Sequence, residues 1–150
     1  MRARAAIVLC LLAALAGCGG GSRDRSAYVK ALNKAQTGLA ERFQALQKRI
    51  TPTSTPAQDT RTLRGYEGAV RTTVADLRAV DPPSGFGVLH RRFVGEVAEY
   101  GTALQDARGR LRGNDPQATL AAQGRLRTAI AQTGERLNAT IRAINDKIKG

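Results

Sequence analysis

Apolar residues recur at helical spacing along most of this chain, in four stripes separated by polar breaks. The stripes cover residues 28–50, 63–80, 86–111 and 122–148. Neighbouring positions within a stripe lie about 3.5 residues apart, which is the period of an α-helix. Strand-like alternation of apolar and polar residues is absent over any useful length. The pattern therefore predicts an all-α protein.

The breaks between the stripes contain signals that start and end helices. Thr55, Pro56 and Gln58 form a capping box with proline at the first helical position. Residues 81–85, Asp-Pro-Pro-Ser-Gly, end the second helix because the residue before a proline is disfavoured in the α region. Gly113 suits a helix end, and Asn-Asp-Pro at 114–116 suits a start. Four helices with short connections predict an up-down-up-down antiparallel four-helix bundle over residues 27–150.

The first eighteen residues follow a different pattern. Arg2 and Arg4 precede a twelve-residue apolar run at 5–16, which is followed by small residues. A charged start, an apolar run and small residues are the three parts of an export signal. Twelve helical residues span about 18 Å, which is less than the hydrocarbon thickness of about 30 Å. We therefore expect an export signal here and no permanent transmembrane helix.

Residues 15–18, Leu-Ala-Gly-Cys, resemble the lipobox of bacterial lipoproteins. In that family the cysteine sulfur receives a diacylglyceryl group, and cleavage leaves the cysteine as the first mature residue. The resemblance implies a signal peptide at 1–17, a lipid anchor at Cys18 with a glycine-rich flexible tether over 18–26, and a location on the extracytoplasmic face of the cell membrane. Cys10 leaves with the signal peptide, so the mature chain has no intramolecular disulfide. The alternative is an ordinary secretory signal with a chance cysteine.

A second resemblance covers residues 77–93, LRAVDPPSGFGVLHRRF. This segment is similar to one in small helical lipoproteins of high-GC Gram-positive bacteria, where a double proline separates two helices and a Leu-His pair follows one or two turns later. Pro82-Pro83 and Leu89-His90 are the matching residues here. The resemblance implies a fold and a location, and it implies no activity.

Basic residues outnumber acidic ones 24 to 12, giving a formal net charge of +12. Three arginines repeat every seven residues along the second predicted helix, and three more cluster at the end of the third. We interpret them as a candidate surface for a protein partner, anionic lipid or wall polymer, the alternative being a solvated face. An exported protein rarely meets nucleic acid, which we do not expect as a partner. The six residues are Arg64, Arg71, Arg78, Arg108, Arg110 and Arg112.

Some of this charge is predicted to be balanced within helices. Glu67 and Arg71, and likewise Asp106 and Arg110, have the four-residue spacing that places opposite charges side by side on a helix.

The sequence contains no motif for catalysis or metal binding. One histidine and two cysteines cannot supply a multi-ligand zinc site, and nucleophile-elbow, phosphate-loop and HExxH patterns are missing. We interpret His90 as a structural or boundary residue and the Glu96 and Glu99 carboxylates as solvated. The prediction is a non-enzymatic protein without metal or cofactor. The alternative is a carrier holding a small apolar ligand inside the bundle, which needs a cavity of about 300 Å³ or more.

Aromatic residues are predicted to pack in the core rather than to form a cofactor site. All six aromatic residues of the mature chain fall on the apolar stripes. Phe93, between Leu89 and Val97, is expected to lie deep in the core. The six are Tyr28, Phe43, Tyr66, Phe86, Phe93 and Tyr100.

Overall fold

The computed structural model describes residues 20–49, 55–110 and 116–150, and over these residues all regular structure is helical. Each helix packs against the next one along the chain. The prediction of an all-α protein is therefore confirmed for the described residues. The four helices are α1 Gly20–Gln47, α2 Pro56–Arg78, α3 Gly87–Arg110 and α4 Pro116–Lys149.

Helix α1 begins within the segment that the glycine-rich sequence predicts as a flexible tether. The helix starts at Gly20, so it overlaps the expected tether over residues 20–26. Intrinsic helix propensity is a weak preference that packing overrides, and these first turns are tied to the rest of the molecule. Arg25 donates a hydrogen bond to the Ile148 carbonyl at 3.4 Å, and Tyr28, directly after this segment, is buried. Cys18 lies outside the described residues.

The predicted start of α2 is confirmed in detail. The Thr55 backbone N–H donates to Gln58 Oε1 at 2.7 Å, and the Gln58 backbone N–H donates to Thr55 Oγ1 at 3.3 Å. Thr55 itself is extended and Pro56 is the first helical residue. The two reciprocal bonds satisfy donors that the first turn of a helix leaves without partners.

Residues 79–86 connect α2 to α3, as the double proline predicts. Gly85 has a φ of +82°, in the left-handed region that favours glycine. The Phe86 N–H donates to the Pro83 carbonyl and the His90 N–H donates to the Phe86 carbonyl, both at 2.9 Å. These bonds carry the chain from the turn into α3. The predicted helix signals at residues 113–115 lie outside the described residues.

The core is most deeply buried where the start of α1, the 79–86 connection and the end of α4 meet, which we call the turn end. The region that contains the Phe43–Tyr66 ring contact and the Glu67–Arg108 ion pair is what we call the opposite end. Phe93 is 1% exposed, which confirms the expected deep position. The most deeply buried apolar side chains are Leu32, Val70, Leu77, Phe86, Phe93 and Ile144.

Candidate functional site

Three separate parts of the chain converge at the turn end. Besides the bond from Arg25 to α4, the Lys147 ammonium lies 5.7 Å from the centre of the Phe86 ring. A Cβ atom added to Gly85 would lie 3.3 Å from Lys147 Cε, so glycine leaves the space in which this lysine crosses the turn. A cation at that distance from a ring face is attracted by the ring quadrupole. The convergence places α1, the 79–86 connection and α4 around one small region.

His90 lies buried in this region and is held by two neighbours. Its Nδ1 atom and the Tyr28 hydroxyl are hydrogen-bonded at 3.2 Å, and the two rings meet edge to face. Burial lowers the pKa of His90 below its usual range; a hydrogen bond to the Leu77 carbonyl opposes this, and the Arg91 charge adds to the lowering. Burial also raises the pKa of Tyr28 to about 12. Both groups are therefore neutral at neutral pH, which suits the structural role predicted for His90.

A groove with a volume of about 570 Å³ lies beside His90 at the molecular surface. It is formed by the last turn of α2, the start of the 79–86 connection and the first turns of α3. Two guanidinium groups and one carboxylate line it together with small and apolar residues. The lining includes Arg78, Asp81, Pro82, His90, Arg91 and Val94.

The three arginines predicted on one face of α2 are all exposed. Arg64, Arg71 and Arg78 lie seven residues apart along the helix, and Arg78 also lines the groove. Glu67, which was expected to balance Arg71, is instead paired with Arg108. The expected pairing of Arg71 is therefore wrong, because the carboxylate turns toward α3 instead of following its own helix.

The second predicted arginine cluster is not a uniform surface. Arg108 Nε donates to Glu67 Oε1 at 2.5 Å, and these side chains are only 19% and 9% exposed. Arg110 is exposed, and Arg112 lies outside the described residues. The expected Asp106–Arg110 ion pair is not among the three that the structure forms over residues 20–49, 55–110 and 116–150. Arg108 is thus a packing residue, whereas Arg110 is open to solvent.

Glu96 corrects a further expectation, since its carboxylate is buried rather than solvated. The residue is 6% exposed, and the Thr140 hydroxyl donates to Glu96 Oε1 at 3.0 Å. Arg92 Nε lies 3.6 Å from the same oxygen. Helical spacing relative to Phe93 and Tyr100 places Glu96 beside the apolar stripe, a signal from which its burial could have been predicted. Glu99, in contrast, is exposed and pairs with Arg136 of α4.

Residues 20–49, 55–110 and 116–150 offer neither a metal-binding cluster nor a membrane-spanning helix. In that part of the chain no group of three or more His, Cys, Asp or Glu side chains is arranged to hold a metal ion. None of the helices described there is both long and apolar enough to cross a bilayer. No family model, curated protein or solved structure matches this chain.

Proposed function

We propose that this chain is a lipoprotein held by Cys18 on the extracytoplasmic face of the cell membrane. Its helical part is non-enzymatic and presents a basic surface to a protein partner or to an anionic envelope component. The observation that carries this proposal is the order of features at the N-terminus: two arginines, an apolar run, Leu-Ala-Gly-Cys at 15–18, and a helix that begins at Gly20.

We further propose the up-down-up-down antiparallel order for the four helices. Contacts between consecutive helices support it. Phe43 and Tyr66 pack their rings with centroids 4.7 Å apart, Glu67 pairs with Arg108, and Phe86 lies under Lys147. Between α3 and α4 the Thr140 hydroxyl donates to Glu96, while the Tyr100 hydroxyl donates to the Ile130 carbonyl. A later residue of α3 thus meets an earlier residue of α4, which supports opposite directions for these two helices.

The position of α1 supports an orientation in which the turn end faces the membrane. Gly20 follows Cys18 by two residues, and the helix from Gly20 to Arg25, which bonds to Ile148 at the end of α4, rises about 8 Å at about 1.5 Å per residue. Basic residues near an anionic surface contribute about 1 kcal/mol each within a screening length of about 8 Å. Lys147 and Lys149 at the end of α4 are placed for this attraction.

The basic surface offered to a partner then comprises residues further from the anchor. Arg64 and Arg71 are exposed along α2, and Arg110 is exposed at the end of α3. Arg108 is left out of this surface because its guanidinium is bound to Glu67. The alternative of a carrier for an apolar ligand gains no support from the groove, which opens to the surface and carries the guanidinium groups of Arg78 and Arg91.

The anchor is tested with two matched cysteine variants of the full chain. Cys18→Ser should abolish labelling with radioactive palmitate in a bacterial host and move the protein out of the detergent phase. Cys10→Ser makes the same chemical change inside the apolar run, and it should leave both properties intact. Palmitate labelling that persists in Cys18→Ser contradicts the proposed anchor.

A further inference from the structure

The groove at the turn end carries positive charge that the protein itself leaves unpaired. Arg78 and Arg91 both line it and both are exposed. The three ion pairs within the described residues use Arg92, Arg108 and Arg136, so neither groove arginine takes part in one. Asp81 also lines the groove. Because His90 is neutral at neutral pH, the two arginines and one aspartate give the lining a formal net charge of +1.

The shape of the groove is set by buried and conformationally restricted residues. His90 forms part of the lining and is fixed by Tyr28. Pro82 restricts the backbone of one wall, and Val94, which is 7% exposed, belongs to the core of α3. The volume of about 570 Å³ falls within the range of about 300–1,000 Å³ found for small-molecule sites. A preformed concavity loses less entropy on binding than a loose charged surface does.

Glycine at the start of α3 allows one of the two guanidinium groups to lie close to the helix. A Cβ atom added at Gly87 would be 3.4 Å from the Arg91 Nη1 atom, so this arginine folds back over the first turn of α3. Arg78 approaches the same groove from the last turn of α2. Cationic groups are thus held on two different helices at one opening.

We propose that this groove binds a singly charged phosphate ester, with the guanidinium groups of Arg78 and Arg91 donating hydrogen bonds to the phosphate oxygens. Arginine matches phosphate because its planar donor group binds two oxygens at once. One carboxylate against two guanidinium groups favours a phosphodiester over a highly charged polyanion. The ester is either a phospholipid headgroup or a soluble phosphodiester. The proposal goes beyond the lipoprotein function, since none of its residues belongs to the anchor.

His90 provides a specific probe for the test, because it is the single histidine of the chain. The full chain is held in non-ionic detergent micelles, and the imidazole resonances of His90 are followed by NMR. The two probes are soluble glycerophosphoglycerol and phosphatidylglycerol mixed into the micelles. Glycerol is the uncharged control. A response to the soluble ester supports the site and identifies a soluble phosphodiester as the ligand. A response to the lipid alone also supports the site and identifies a phospholipid headgroup.

Variants locate the binding in the groove. Arg78→Gln and Arg91→Gln should each weaken binding about tenfold, as expected for loss of a hydrogen bond to a charged group. The matched control Arg61→Gln removes the same charge from an exposed position near the start of α2, outside both the groove and the proposed basic surface, and it should change affinity less than twofold. Circular dichroism verifies that each variant keeps its helical content.

A further variant tests the site without removing either arginine. Asp81→Asn removes the one carboxylate of the groove lining and should strengthen binding severalfold. The proposal is overturned if neither probe shifts the His90 signals saturably, if Arg61→Gln weakens binding as much as the groove variants, or if Asp81→Asn leaves affinity unchanged.

Discussion

The two ends of the molecule bury the same kind of apolar stripe to different depths. At the turn end Leu32, Leu77 and Ile144 are completely buried, and Phe86 from the connection is 1% exposed. Towards the opposite end Phe43 and Leu126 are only partly buried. Helical periodicity thus determines which face of a helix turns inward, but the neighbouring elements determine how completely that face is covered.

Polar contacts differ between the two ends as well. The turn end contains the neutral pair Tyr28–His90, whereas Glu67 and Arg108 form an ion pair toward the opposite end. A neutral hydrogen-bonded pair tolerates burial at small cost, while buried charges require a partner to offset the loss of hydration. The stability of the opposite end therefore depends on a charge interaction, whereas that of the turn end depends on apolar packing.

The largest expected effect comes from removing the Phe93 ring, and removal of the partly buried Phe43 ring is the comparison. Phe93→Ala should lower the free energy of unfolding by about 3–5 kcal/mol, because it leaves a cavity in a fully buried site. Phe43→Ala should lower it by about 1–2 kcal/mol, since a partly buried ring removes less apolar surface from water. Urea denaturation followed by circular dichroism measures both. Similar losses of unfolding free energy in the two variants would contradict the difference in burial between the two ends.

A smaller effect is expected from the ion pair. Arg108→Ala should lower the free energy of unfolding by about 3 kcal/mol, because Glu67 then stays largely buried without its partner. Arg110→Ala, two residues away and exposed, should change it by less than about 0.5 kcal/mol. Thermal denaturation of the two variants checks this. If the Arg108→Ala protein is as stable as the Arg110→Ala protein, Arg108 belongs to the exposed basic surface.

The smallest expected effect concerns the neutral pair at the turn end. Because burial lowers the pKa of His90 in the folded state, the unfolded chain binds more protons, and stability falls as pH drops below about 6.5. The loss is complete once the pH is below the lowered pKa. His90→Gln should remove this part of the acid sensitivity, as measured by urea midpoints at pH 5 and pH 7.5.

The hydroxyl of the neutral pair is tested by a second variant. Tyr28→Phe should cost about 1 kcal/mol at pH 7.5, the typical worth of one hydrogen bond. If His90→Gln loses as much stability at low pH as the unmodified protein does, that loss belongs to other titrating groups. The Tyr28–His90 pair would then have no part in the acid sensitivity.

Local sequence signals predicted the helix boundaries well where short-range chemistry decides them. The Thr55–Gln58 capping box formed as expected, and residues 81–85 separate α2 from α3. The start of α1 was predicted less well, because the glycines at 19–21 favour a flexible chain while contacts with α4 hold the following turns in a helix.

The candidate site was predicted only in part. Arg78 belongs to the seven-residue repeat with Arg64 and Arg71, whereas its neighbour in the groove, Arg91, lies on α3 outside that repeat. The groove joins the end of α2 to the start of α3 around Pro82. Such a concavity depends on how two helices meet, which no spacing within one helix reveals.

The sequence by itself determined the features that depend on residues close together in the chain. These are the helical class, the α2 cap, the 81–85 turn and the inward position of Phe93. These follow from backbone geometry and from the period of 3.6 residues. Only the tertiary structure decided that Glu67 pairs with Arg108 instead of Arg71, and that Glu96 and Glu99 find their partners Thr140 and Arg136 on α4. The physical reason is that burial and charge pairing depend on side chains from other helices, whose distance along the chain carries no information about their distance in space.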